Sequence, residues 1–238
     1  GPAIAITLTI IESPTVDASL DATICEGETY TLNGGASNNN GQLWTTSGDG
    51  SFSDASLLNS IYTPGVNDVA NGGVTLTLTS NGNNPCSNIS DDMFLNVIAA
   101  PTVDAGLDAA ICEGDNYTLL STATNNNGVQ WTTSGDGSFS SNTAVSPVYT
   151  PGATDVINGT VTLTLTSFGN ASCNDVSDDL VLSITVAPTV DAGLDAIICE
   201  GETYTLNGVA SNNNGQLWTT SGDGSFSDAS LLNSIYTP

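Results

Sequence analysis

The 238 residues include 25 Asp and Glu but no Lys, Arg or His, a net charge of −25. Without imidazole or amine side chains, Ser-His-Asp, Cys-His and Schiff-base chemistry are unavailable. Without cations nothing neutralises phosphate, so nucleic acid and anionic membrane surfaces are excluded as partners. With 39% hydrophobic and only 11% charged residues, the chain has the apolar content of a folded protein. Carboxylate-only hydrolysis is the one enzymatic route left, no pair of acids carries a pattern for it, and the chain reads as a non-enzyme.

In chain order, the first segment, AIAITLTII (Ala3 to Ile11), alternates apolar residues with Thr. It has the length and period of a strand and is too short to span a bilayer. At Pro14 the motif PTVDA begins a pattern that returns at Pro101 and Pro188, a step of 87 residues (14 to 101, 101 to 188). Cys25, Cys112 and Cys199 keep the same step, as do Trp44, Trp131 and Trp218, and Cys86 with Cys173. A period of 87 is too long for a solenoid repeat and suits a small globular domain. The expected organisation is a final strand of a preceding repeat over 1–13, complete repeats over 14–100 and 101–187, and the N-terminal part of a third over 188–238. Both ends fall inside a unit, which points to a window on a longer array. Over their shared length the first and third copies differ only at Ser19/Gly193, Thr23/Ile197 and Gly35/Val209.

Within a unit the elements all have period two. ETYTL (Glu28 to Leu32), QLWTTS (Gln42 to Ser47), VTLTLTS (Val74 to Ser80) and, in the second unit, LVLSITV (Leu180 to Val186) read as half-buried antiparallel strands. Between them lie EGE, NNNG, SGDGS, TPG and NGG, all turn-forming. No apolar stripe with a helical period appears. The fold class is therefore all-β, with about seven short strands per unit arranged as an immunoglobulin-like β-sandwich. Trp44, Trp131 and Trp218 are expected in the cores, with Tyr30, Phe52 and Tyr62 beside the first. SGDGS (Ser47 to Ser51) holds too few acids for an EF-hand loop and reads as a tight Asp-Gly hairpin turn using positive φ.

Five cysteines recur as two kinds. Cys25 and Cys86 are 61 apart, as are Cys112 and Cys173, and the partner of Cys199 would fall past the last residue. One disulfide per unit is expected (Cys25 with Cys86, Cys112 with Cys173), a bridge between neighbouring units being the alternative, and an oxidising compartment is implied. Asp17, Asp21, Glu26, Glu28, Asp91 and Asp92 gather towards one end of a unit, and Asp104, Asp108, Glu113, Asp115, Asp178 and Asp179 are their counterparts. Calcium is the one cofactor such acids suggest; the favoured alternative is solvated surface charge.

The run PTVDAGLDAAICEGDNYTL (Pro101 to Leu119), followed by WTTSGDG, YTPG, VTLTLTS and a Cys before the last strand, resembles the PKD-like, Ig-like tandem repeats of giant Bacteroidota cell-surface proteins. Among these are the gliding-motility adhesins of the SprB type, exported by the type IX secretion system. WTTSGDG departs from the usual Trp-Asp-Phe-Gly-Asp-Gly of PKD repeats by one extra residue and the loss of Asp and Phe. The resemblance implies a secreted, filamentous protein without enzymatic activity on the surface of a Gram-negative bacterium, active in cell adhesion or gliding motility. Its implied partners are neighbouring repeats, the secretion and motility machinery, and surface glycans or substratum met by regions outside this sequence, with no membrane insertion. The junction VIAAPTVDAG agrees in that it has no Gly/Ser linker and sets a φ-restricted Pro at the joint, which favours an extended rod. A stalk is the leading reading. The rival is that each repeat is a glycan- or protein-binding module, and exposed tryptophans would favour that rival.

Overall fold

The computed structural model describes residues 4–238. The first unit runs β1 (Thr15–Asp17), β2 (Ala22–Cys25), β3 (Tyr30–Thr31), β4 (Gly35–Ser37), β5 (Asn39–Thr46), β6 (Ser51–Phe52), β7 (Ile61–Thr63), α1 (Val66–Ala70), β8 (Gly73–Gly82) and β9 (Ile89–Ile98). Its larger sheet has the order β2-β9-β8-β5, with β2 parallel to β9 and the other pairs antiparallel. Facing it is the sheet β3-β7-β6, and β1 pairs with β4 at the edge.

The Thr alternation produces this arrangement directly. In VTLTLTS, Val74, Leu76 and Leu78 point into the core while the intervening threonines stay half-buried. β9 answers in register, Val74 opposite Leu95 and Leu76 opposite Met93, both buried. Trp44 of β5, 1% exposed, sits opposite Leu78. Phe52 bridges the Trp44 and Tyr62 rings, with centroids 6.5 and 4.9 Å away. Each such buried side chain contributes roughly 2–3 kcal/mol of transfer free energy.

The second unit repeats the order with β10 (Thr102–Asp104), β11 (Ala109–Cys112), β12 (Tyr117–Thr118), β13 (Thr122–Thr124), β14 (Val129–Thr133), β15 (Ser138–Phe139), β16 (Val148–Thr150), α2 (Ala153–Asn158), β17 (Thr160–Ser167) and β18 (Val176–Thr185). Trp131, also 1% exposed, is its core counterpart. Then follow β19 (Thr189–Asp191), β20 (Tyr204–Thr205), β21 (Val209–Ser211), β22 (Ser225–Phe226) and β23 (Ile235–Thr237). The sequence ends before positions equivalent to β8 and β9, and Trp218 is only half-buried.

Three features differ from the sequence reading. Residues 4–13 form no paired strand: Ile6, Leu8 and Ile10, which align with the buried Met93, Leu95 and Val97, are 89%, 82% and 85% exposed. Alternation marks a face that can be buried and does not itself supply the neighbouring strand. Residues 1–3, the start of that segment, lie outside the described residues. Second, each complete unit contains a short helix after TPG, a single turn too brief to show an apolar stripe. Third, SGDGS is not a hairpin. β5 bonds to β8 while β6 bonds to β7, so the loop crosses from one sheet to the other.

Neither Gly48 nor Gly50 has positive φ; they are glycines for want of space. A Cβ on Gly48 would lie 1.7 Å from the Asp68 carboxylate, and one on Gly50 would lie 2.3 Å from the Tyr62 hydroxyl.

Candidate functional site

The parallel pairing of β2 with β9 decides what meets the next unit. Its register places Cys25 opposite Ile98, at the very end of β9. The Glu26 amide donates to the Ile98 carbonyl (2.7 Å), and the Glu26 carboxylate accepts from the Ala100 amide (3.0 Å). The departing chain is thus held to β2 up to Pro101. From the other side the second unit presents its β17–β18 loop, with Cys173 Sγ 3.7 and 3.8 Å from the Ile98 and Ala99 carbonyl oxygens. Asn125 of the same unit donates its side-chain amide to the Ala100 carbonyl (3.1 Å).

At this seam Cys25 and Cys173 form a disulfide, their Cα atoms 4.9 Å apart across a sequence separation of 148. The expected pairs within units, Cys25 with Cys86 and Cys112 with Cys173, do not form; Cys86, Cys112 and Cys199 are free. The reason is strand length. Cys86 precedes β9 and Cys25 lies beside its far end, so the ten residues of β9 separate them, about 30 Å at the usual rise. A disulfide needs Cα atoms within roughly 7 Å. One repeat step cannot reveal this, because a first-type cysteine is in phase with the second-type cysteine of its own unit and of the next.

Away from this seam, the other candidate acids act as acceptors for backbone amides. Asp21 accepts from the Phe94 amide, Asp91 from Ala18 and Asp17 from Ser19, each at 2.8 Å. In the second unit Asp108 accepts from Val181 (2.9 Å), Asp178 from Ala105 (2.8 Å) and Asp104 from Gly106 (2.8 Å). Asp17, Asp21, Asp91 and Asp92 line one surface groove with Tyr30 and Asn33. Asp104 and Asp108 line its counterpart, and Asp178 and Asp179 do not. Among the described residues, no three acidic or thiol side chains converge closely enough to enclose a cation. The Glu28 carboxylate accepts from the Cys25 amide (3.0 Å) and the Glu113 carboxylate from Ala187 (3.1 Å), while Asp115 lies 3.4 Å from the Cys112 amide.

Around the short helix of each complete unit lies a second polar centre, one the sequence reading missed. Asp68, 1% exposed, accepts from the Tyr62 hydroxyl (2.7 Å), the Gly65 amide (3.0 Å) and the Asp49 amide (3.2 Å). Asp49 of SGDG in turn accepts from the amides of Asn67 and Asp68 at the start of α1, donors that a helix leaves without internal partners. Asp155, Tyr149 and Asp136 repeat the arrangement. The Thr154 amide holds the exposed Asp136 carboxyl below the usual carboxylate range. The only trace of this centre in the sequence is the shared spacing of SGDG, YTPG and the following Asp.

Burial pushes the Tyr62 and Tyr149 phenols up to about 12, and the Asp68 and Asp155 carboxylates add to the shift. The folded value exceeds the ordinary one of 10.0, so the neutral phenols favour the fold fully below pH 10. That contribution is lost as pH rises through about 12. An alkaline absorbance titration should show phenols ionising near pH 12, with denaturation midpoints falling across this window. Tyr62→Phe combined with Tyr149→Phe should remove that class of phenol from the titration.

No family model and no curated protein matches the chain. Among solved structures it is similar to the three-domain titin segment I67–I69 in an E-to-A variant. That match has 14% identity and a TM-score of 0.53, covering 94% of this chain and 87% of that one. It is similar also to the I-band I67–I69 fragment of titin, at 13% identity and a TM-score of 0.50, covering 95% and 88%. With two complete sandwiches in series and this likeness over nearly the whole length, the fold is a tandem array of all-β immunoglobulin-like domains.

Proposed function

We propose that the chain is a stalk segment of a long secreted bacterial cell-surface adhesin, serving attachment or gliding motility by holding binding regions away from the surface. Its units are 14–100 and 101–187, with further repeats of the same kind as immediate partners. The observation that carries this reading is the junction: no flexible linker, a Pro at the joint and a disulfide across it. A seam tied in this way suits a part that sets distance and direction.

The uniform negative charge also discourages folding back, since like charges along the rod repel. A disulfide fits an extracellular location, where oxidising conditions maintain it. The binding-module reading gains nothing from the aromatics, because Trp44 and Trp131 are each 1% exposed.

Small-angle scattering combined with a glycan array tests the proposal. The expected result is a rod whose maximum dimension grows by a constant increment of about 40 Å per added unit, a sandwich of strands rising roughly 3.3 Å per residue, with no glycan retained. A compact particle, or micromolar glycan binding abolished by substitutions on one face of a unit, would overturn it.

A further inference from the structure

We infer that the seam disulfide recurs at every junction between such repeats. Cys112 is the half-cystine for the second cysteine of a following unit, Cys86 is that for the first cysteine of a preceding unit, and each bond joins cysteines 148 residues apart.

Both free thiols occupy the surroundings of a half that is already bonded. Cys112 lies opposite Thr185 at the end of β18, as Cys25 lies opposite Ile98 at the end of β9. The Glu113 amide donates to the Thr185 carbonyl (2.8 Å) and the Ala187 amide to the Glu113 carboxylate (3.1 Å), which repeats the Glu26 pattern one unit along. Cys86 Sγ lies 3.8 Å from the carbonyl oxygens of Ile11 and Glu12, the residues one repeat step before Ile98 and Ala99, on which Cys173 rests. Its loop is closed alike: the Cys86 amide donates to Asn83 and that of Cys173 to Asn170 (2.7 and 2.8 Å). Asn38 reaches the Ser13 carbonyl (3.3 Å) as Asn125 reaches that of Ala100.

The seam is thus preformed around each half, and the missing element is the opposite thiol. Cys25 and Cys173 are 8% and 7% exposed, whereas Cys112 is exposed and Cys86 half-buried. The partner each half fits is another copy of this repeat.

Bond formation takes two thiols to one disulfide, releasing two protons and two electrons. A disulfide oxidant accepts them and is itself reduced to two thiols; oxidised glutathione serves in the test.

The full chain is continued through the positions equivalent to 65–100, which adds a cysteine 148 residues after Cys112. It is refolded in a glutathione redox buffer, alkylated, and cut with a Glu- and Asp-specific protease, since trypsin has no site. Molecules carrying the Cys25–Cys173 bond are scored, because that bond reports a native seam in the same sample. The expected result is a second linked peptide pair, Cys112 with the added cysteine, with Cys86 and Cys199 alkylated. In the Cys25→Ser variant this second bond should persist, with Cys173 alkylated. A companion chain preceded by the residues equivalent to 14–87 should link the first cysteine of the added unit to Cys86. Alkylation of Cys112 or Cys86 in these lengthened chains, at the level seen in the unextended one, would overturn the inference. So would a Cys112–Cys173 bond.

Discussion

Replacing Cys173 with Ser is expected to destabilise the two complete units together, by about 5 kcal/mol on the chain-entropy model for a closed loop of this size. The loop is 148 residues long, so the bond restrains the unfolded forms of both sandwiches rather than one. In denaturant titrations followed by tryptophan fluorescence, the wild-type chain should lose Trp44 and Trp131 burial at a higher midpoint than either Cys173→Ser or the reduced wild type. The variant and the reduced protein should coincide. Cys112→Ser is the control: its thiol is exposed and unbonded, so the midpoint should not move. If Cys86→Ser and Cys112→Ser each lowered the midpoint as far as Cys173→Ser did, the bridges would lie within the units, Cys25 with Cys86 and Cys112 with Cys173.

The second large effect is expected at Asp68. Asp68→Ala would leave the Tyr62 hydroxyl and the Gly65 and Asp49 amides without their acceptor inside the sandwich. A buried donor left unpaired costs about 1–3 kcal/mol, and relaxation of the hydroxyl would recover part of this. A loss of about 3–5 kcal/mol confined to the first unit is expected, with Asp155→Ala doing the same to the second. Asp68→Asn should recover little, because both carboxylate oxygens accept from backbone amides and an amide nitrogen would oppose one of them. Hydrogen exchange resolved by segment would assign each loss to its unit. Equal protection of β8 in wild type and Asp68→Ala would contradict the role given to this carboxylate.

Where the sequence was informative, the physics was local. Alternation in VTLTLTS requires one wet and one dry face, and Val74, Leu76 and Leu78 are the dry one. The unbroken spacing of Trp44, Trp131 and Trp218 marks units because each sandwich needs one bulky filler at the same depth. What the sequence concealed depends on which strands become neighbours. That β2 runs parallel to β9, and so carries Cys25 to the far end of the unit, follows from chain topology. Asp17 and Asp21, with Asp91, looked like cation ligands because acids are visible in a sequence and backbone amides are not. SGDG looked like a hairpin because Asp-Gly is common there, whereas its Asp49 serves a helix that begins seventeen residues later, at Val66 (49 to 66).

The seam disulfide also has a mechanical meaning. When the chain is pulled from its ends, tension reaching Cys25 passes through a single covalent bond to Cys173 and bypasses the 148-residue loop between them. That loop holds most of both sandwiches. Unfolded, it would pay out on the order of 500 Å at roughly 3.4 Å per residue. With the bond in place none of that length can be drawn out. Either domain can unfold under load while the strand of matter carrying the force stays as short as before, which makes this segment an inextensible cord rather than a spring.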